Sequence, residues 1–142
     1  MAGMKMSVAD IRKFLREEFP QVFSGDDIAI EAADGERCLL RQRYSDTMLR
    51  PGGTVSGPTL MALADYAMYA VLLSAIGPVG LAVTTNLNIN FLRRGVAGRD
   101  LYAAAKILKL GKRLAVGEVS LTSAGSPEPI AHVTATYSIP NT

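Results

Sequence analysis

From Pro58 to Ile76 the chain is apolar at almost every position, and Asp65 is the one side chain in that run with a charge at neutral pH. Ala, Leu and Met favour helix and Gly77-Pro78 supplies a stop, so the composition predicts a helix over 58–76. Apolar residues fall on every side of it, which marks a helix surrounded by protein or lipid. Its length approaches the roughly 20 residues that span a bilayer. The interior acid, the high Ala content and the strand-like sequence that follows point instead to the core of a soluble domain, with no membrane partner expected. Removing an unpaired carboxylate from water is costly, so Asp65 needs either compensation or a purpose.

The rest of the chain limits how that helix is covered. Ile11, Phe14, Leu15 and Phe19 recur at helical spacing behind Ser7, a cap residue, and ahead of Pro20, which predicts an amphipathic helix over 7–19 covering an edge or end of the fold. Residues 27–33 and 37–44 flank Asp34-Gly35, a dipeptide that favours a tight hairpin. A loop over 45–57 follows, where Pro51, Gly52 and Gly53 permit sharp turns, and it enters the helix through Ser56 or Gly57 as cap with Pro58 as first helical residue. Beyond the helix, residues 81–92, 100–110, 112–122 and 130–139 are strand-like and separated by turn residues. The expected class is α+β: a curved antiparallel sheet wrapped around one long apolar helix, with an additional N-terminal helix. Such a protomer leaves a sheet edge and part of its helix uncovered, so a homo-oligomer of at least two chains is expected.

With 142 residues, 49% of them hydrophobic and 20% charged, the chain fits a single domain, 1–142. A net charge of +2 with scattered basic residues argues against nucleic acid as a partner. One cysteine, Cys38, forms no internal disulfide and reads as a small core residue. Charged residues interrupt the first 18 positions, as expected for a cytoplasmic protein rather than a secreted one. His132 is the single histidine, and no acid or thiol cluster stands at metal-ligand spacing, so no metal is expected. Gly-rich nucleotide loops and the Gly-x-Ser-x-Gly elbow are absent from the sequence.

The stretch from Leu49 to Asp65 is similar to a pattern of Asn, five residues, His-Gly-Gly, four residues, Leu-x-Asp. Thr84-Thr-Asn86 through Arg93 resembles the strand after the helix in that pattern's family, and His132 to Tyr137 its last strand. On these residues the chain, from about Tyr44 to its end, resembles the hotdog-fold superfamily and within it the PaaI-like acyl-CoA thioesterases. Three positions depart from the pattern: Arg50 stands for the Asn, Ser56 for the His and Pro58 for the second Gly.

The resemblance implies a hotdog fold and a thioester hydrolase without a cofactor, acting on acyl-CoA as a homodimer or homotetramer. In it Asp65 is the nucleophile or the general base, and the N–H of Gly57 from the opposite subunit polarises the thioester carbonyl. Ser56 and Thr84, or Thr85 with a one-residue shift, orient water or thioester. Arg50 and Gly53 in the loop, Asn86 on the following strand, and the pairs Arg93-Arg94 and Lys112-Arg113 are candidates for substrate binding, the basic pairs for the CoA phosphates. Tyr66, Met68 and Tyr69 are candidates to line the acyl pocket. Loss of the His and Asn leaves open a protein that binds acyl-CoA without turning it over. Hydration of an acyl thioester on the same fold needs a His with an acid, for which only His132 is present.

Overall fold

The computed structural model describes residues 3–140, so the extreme ends of the expected 1–142 domain lie outside it. Helix α1 is Val8–Glu18. Ser7 caps it reciprocally: its hydroxyl accepts from the Asp10 N–H at 3.1 Å while the Asp10 carboxylate accepts from the Ser7 N–H at 3.0 Å. Ile11 and Leu15 are buried. Pro20 ends this helix as expected and also starts another, the short α2, Pro20–Phe23, because a proline at the first helical position lacks only a donor that would be unpaired anyway.

Strands β1, Ile28–Ala33, and β2, Arg37–Gln42, form the expected hairpin. Gly35 takes φ 93° in its turn, and the Asp34 carboxylate accepts from the N–H groups of Glu36 at 2.9 Å and Arg37 at 2.7 Å. Those backbone donors hold the Asp34 carboxyl below its ordinary pKa. The loop that follows has more order than the sequence suggests. A 3₁₀ turn, Asp46–Met48, leads to a two-stranded ladder of β3, Leu49–Arg50, and β4, Thr54–Val55, closed by Gly52 and Gly53 at positive φ.

Helix α3, Gly57–Ile76, begins one residue before the predicted start, and Ser56 is its cap. Pro58 is thus the second helical residue, not the first. Strands β5, Val83–Phe91, β6, Leu101–Leu110, β7, Leu114–Ser123, and β8, Pro129–Ser138, complete the fold. The main sheet has six strands in the order β1-β2-β6-β7-β8-β5, each pair antiparallel. α3 touches all six strands and packs most closely on β6, β2 and β7. This is the hotdog arrangement, with the helix held in the curve of the sheet.

Close packing depends on small residues. The face of the sheet toward α3 carries Ala103, Ala105, Ala115, Gly117, Ala131 and Ala135, all buried, so the bulk in this layer comes from the helix, with Leu63, Met68, Leu72 and Leu73 fully buried. Although α3 is long and apolar enough to cross a bilayer, most of it is buried inside the protein. Cys38 is a buried core residue on β2, and burial pushes its thiol up to about 12, which leaves it without a nucleophilic thiolate at neutral pH.

The two sheet edges differ. Along β1 the edge is covered by α1, whose Arg12 donates to the Ile30 carbonyl at 2.7 Å, and a bulge sits between Ile30 and Ala32. Among the described residues β5 has no neighbour on its outer side. Its Asn86, Asn88 and Asn90 are exposed, whereas Leu87 and Ile89 are half-buried toward the helix, as the alternation predicted. Phe91, the third apolar residue of that row, is 55% exposed, and Leu81, Val83, Leu92 and Met61 are exposed with it.

Candidate active site

Two clefts flank the first half of α3. One, of about 280 Å³, holds Asp65 with Tyr69, Thr84 and Tyr137, and is bordered by Glu18 and Phe19 at the junction of α1 and α2. The other, also about 280 Å³, lies at the start of α3 between Arg50, Gly57, Leu60, Phe91, Arg93 and Arg94. A larger hollow of about 410 Å³ over β1, β2 and β6 is lined by small apolar residues with Asp34, Arg37 and Lys106, and its one thiol is the inert Cys38.

Asp65 sits in the third turn of α3, half-buried. Its compensation comes from hydroxyls, not from a cation: Thr84 donates to Oδ1 at 2.6 Å and Tyr137 to the same oxygen at 2.8 Å. Tyr137 also donates to the Asp65 carbonyl at 3.1 Å. The Thr84 bond is as short as charge-assisted O–H···O⁻ bonds usually are, and the Tyr137 bond has the ordinary O–H···O length. Of the two threonines considered from sequence, Thr84 is the one aimed at Asp65, while Thr85 donates to the Thr136 carbonyl at 3.3 Å. A register shift between Thr84 and Asn86 decides this, since an extra residue in one strand re-aims the side chains beside it.

At the other cleft the first turn of α3 has one uncommitted donor. Pro58 has no N–H, Thr59 donates to the Ser56 hydroxyl at 3.3 Å, and Leu60 donates to the Ser56 carbonyl at 3.3 Å. The Gly57 N–H makes no hydrogen bond among the described residues. It sits at the positive end of the helix dipole, which favours negative charge. A Cβ at position 57 would come within 3.0 Å of the Phe91 ring, so a larger residue here would have to displace that ring slightly.

Ser56 acts locally. Its hydroxyl caps the helix and shares a 2.9 Å hydrogen bond with the Thr59 hydroxyl. Ser56→Ala should lower unfolding free energy by about 1 kcal/mol, the usual cost of a lost cap. Urea denaturation checks this, and an unchanged midpoint would show that the cap contributes nothing.

The candidate substrate-binding residues divide. Arg50, Arg93 and Arg94 converge on the Gly57 cleft. Arg93 is tethered there by Glu128 at 2.9 Å and by the Pro129 carbonyl at 2.7 Å. Lys112 and Arg113 lie elsewhere: the Arg113 carbonyl accepts from Ile139, beyond the far end of β8 from Pro129, so the two basic pairs occupy opposite ends of the sheet. Gly53 is a turn residue whose N–H donates to the Arg50 carbonyl at 3.1 Å, and it lines neither cleft. Asn86 also stands outside both and accepts from the Asn88 amide at 2.6 Å. Among the candidates for an acyl pocket, Tyr69 lines the Asp65 cleft, Met68 is core, and Tyr66 packs edge-on against Phe19 and Phe23 with ring centroids 5.7 Å away from each. His132 pairs with Glu118 at 3.2 Å on the face of β7 and β8 opposite the helix, outside both clefts.

Tyr137, Glu18 and Phe19 were not singled out in the sequence as site residues. A signal exists for Tyr137: the inward row of β8 runs Ala131, Val133, Ala135, Tyr137, and the last member brings a hydroxyl to an otherwise apolar row. Burial and the neighbouring Asp65 charge both push the Tyr137 phenol up, so it stays a protonated donor at neutral pH.

Comparison with known proteins gives one family. The model of the thioesterase superfamily matches residues 52–130. The crystal structure of a candidate thioesterase from Silicibacter sp. TM1040 is similar at 43% identity, with 97% of this chain and 94% of that chain covered and a TM-score of 0.88. Zebrafish thioesterase superfamily member 2 is similar at 20% identity over 96% of this chain and 100% of that chain, TM-score 0.83. The Escherichia coli PaaI protein, from a phenylacetic acid degradation operon, is similar at 22% identity over 92% and 90%, TM-score 0.71. At such identities these last two show the common fold. No curated protein matches the chain.

Proposed function

Because the chain belongs to the thioesterase superfamily, we propose that it is a cytoplasmic, cofactor-independent acyl-CoA thioesterase whose active site is assembled from two chains. The observation that carries this reading is the pair of half-sites: a carboxylate held by two hydroxyls in one cleft, and a free helix N-terminal N–H among arginines in the other.

The chemistry needs both halves around one thioester. A donor must sit about 3 Å from the carbonyl oxygen while the carboxylate, or a water it activates, reaches the carbonyl carbon. Within one chain Gly57 and Asp65 are roughly 12 Å apart along the helix axis, at about 1.5 Å per residue, and they face different clefts. Antiparallel pairing of β5 with β5 of a second copy, centred near Leu87, would set Val83 and Thr84 opposite the partner strand's Phe91 end. Asp65 of one chain would then stand near Gly57 of the other. The exposed apolar residues Leu81, Val83, Phe91 and Leu92 along that edge support this, since pairing would cover them. Light scattering should therefore give the mass of two or four chains, and a monomer at assay concentration would overturn the shared site.

In the assembled site the Gly57 N–H and the helix dipole stabilise the oxyanion as the carbonyl is attacked. Asp65 either takes a proton from the attacking water and returns it to the departing sulfur, giving free acid and CoA thiol, or attacks the carbonyl carbon to expel CoA thiolate, and water then hydrolyses the resulting Asp65 acyl anhydride to the free acid and the regenerated carboxylate. Arg50, Arg93 and Arg94 attract the CoA phosphates. Lys112 and Arg113 stand at the Val83 end of the sheet, so in the proposed dimer they would lie at the same end as the partner's arginine cleft. The direct test is an acyl-CoA panel with free-thiol detection, using wild type beside Asp65→Asn. Turnover in wild type and its loss in the variant is the expected result.

One observation favours a second reading, a protein that binds acyl-CoA without hydrolysing it. The Phe91 ring lies over Gly57, and Ser56 is occupied as a cap. Tight binding by calorimetry with the ester intact after long incubation would establish this reading in place of the first.

A further inference from the structure

We infer that Tyr137 is a positioning residue that fixes the Asp65 carboxylate so that Oδ2 is its reacting oxygen. This rests on the thioesterase reading of Asp65 and lies outside the residues that the family model matches, which end at 130.

A carboxylate offers two oxygens with about four lone-pair directions. Here the load is uneven. Oδ1 takes both strong donors, Thr84 from β5 and Tyr137 from β8, and Oδ2 takes none among the described residues. Two hydroxyls arriving at one oxygen from adjacent strands prevent the carboxylate from rotating about its Cβ–Cγ bond, because rotation would break both. They draw negative charge onto Oδ1 and leave Oδ2 as the oxygen free to meet water or a carbonyl carbon.

Tyr137 does more of this than Thr84. Its hydroxyl bridges the side chain and the carbonyl of Asp65, so it fixes the carboxylate relative to the helix backbone as well as to the sheet. Its own ring is held in turn, stacked on Tyr69 with centroids 6.0 Å apart and planes 11° from parallel. The Tyr69 hydroxyl donates to the Val79 carbonyl at 3.3 Å, which ties that ring to the segment entering β5. Three elements, α3, β5 and β8, thus meet at one oxygen. Thr84, by contrast, stands on the open edge strand.

A buried tyrosine that merely satisfies an acid would show in stability alone. A positioning residue shows in turnover, and misplacing a reacting group by a fraction of an ångström to an ångström can cost up to about 10²-fold. The experiment compares kcat and KM for wild type, Tyr137→Phe and Asp65→Asn on the same CoA ester, with thermal unfolding measured in parallel. Tyr137→Phe keeps the ring and its stacking. The expected result is a kcat lower by about 10- to 100-fold with KM changed less than about twofold. A wild-type kcat in Tyr137→Phe, with Asp65→Asn inactive, overturns the inference and leaves the function standing. Full activity in Asp65→Asn removes Asp65 from the chemistry and the inference with it, whereas absence of turnover in the wild type overturns the function itself. If Tyr137→Phe does not fold, a ring-fluorinated tyrosine at the same position keeps shape and hydroxyl while altering donor strength. A kcat that then changes at constant KM supports positioning, and one that does not change overturns it.

Discussion

Asp65→Asn will lower turnover of a CoA thioester by roughly 10²- to 10⁴-fold, the range expected when a general base is removed, without unfolding the protein. The variant is close to isosteric. Its amide oxygen can still accept from Thr84 and Tyr137, so the hydroxyl network that holds position 65 is retained. What changes is the other atom, where an amide nitrogen replaces Oδ2 and offers neither negative charge nor a lone pair for a proton. KM should stay near its wild-type value because the arginine cleft around Gly57 is untouched. The thermal midpoint should hold or rise slightly, since a half-buried charge has been exchanged for a neutral group. Steady-state kinetics with free-thiol detection measures the first effect and calorimetry the second. Equal rates in the two proteins would remove Asp65 from the chemistry.

The largest expected loss of stability from adding a single carbon is at Gly117. It lies in the middle of β7 facing α3, and a Cβ there would overlap the Met68 sulfur and come within 2.8 Å of the Lys106 carbonyl oxygen. Met68 is fully buried and has no solvent to retreat into. The carbonyl belongs to the neighbouring strand, so relief there requires β6 to move. Overpacking of this kind costs about 1–3 kcal/mol, and against it an alanine gains only the smaller backbone-entropy advantage over glycine. Gly117→Ala should therefore unfold several degrees below wild type, given roughly 3–5 °C per kcal/mol in a chain of this size. A midpoint equal to wild type would mean that the helix lies farther from β7 than described.

What the sequence disclosed about the fold came from strong local signals. The apolar run and Gly77 set α3 to within a residue, and alternation marked the four strands after it. The short α2 was missed because Pro20 reads equally as a stop and as a start. At the site, Asp65 was legible as a lone charge in an apolar helix, and Gly57 through the resemblance of its surrounding motif. Thr84 was preferred to Thr85 through the resemblance alone, because the register shift that turns one inward has no local signature in Thr-Thr-Asn. Arg93-Arg94 and Lys112-Arg113 look alike as basic pairs near strand ends. Only the strand order, with β8 between β7 and β5, shows that they occupy opposite ends of the sheet. Tyr137 is 72 residues from Asp65, and nothing local announces such a partner.

The open side of β5 bears on how this protein can fail. Of the strand's nine residues about every second one points its backbone donor and acceptor away from β8 to solvent, and an asparagine stands at every second position in the middle of the strand. Amide-bearing strands of this type stack readily on copies of themselves. The devices that blunt such an edge elsewhere, a bulge and a pair of charges, stand only at its ends, near Thr85 and at Arg93-Arg94. If the proposed partner strand is lost, by dilution or by a substitution on this edge, the chain exposes a template for unlimited strand addition. In the proposed dimer, assembly and protection from such addition would rest on one and the same strand.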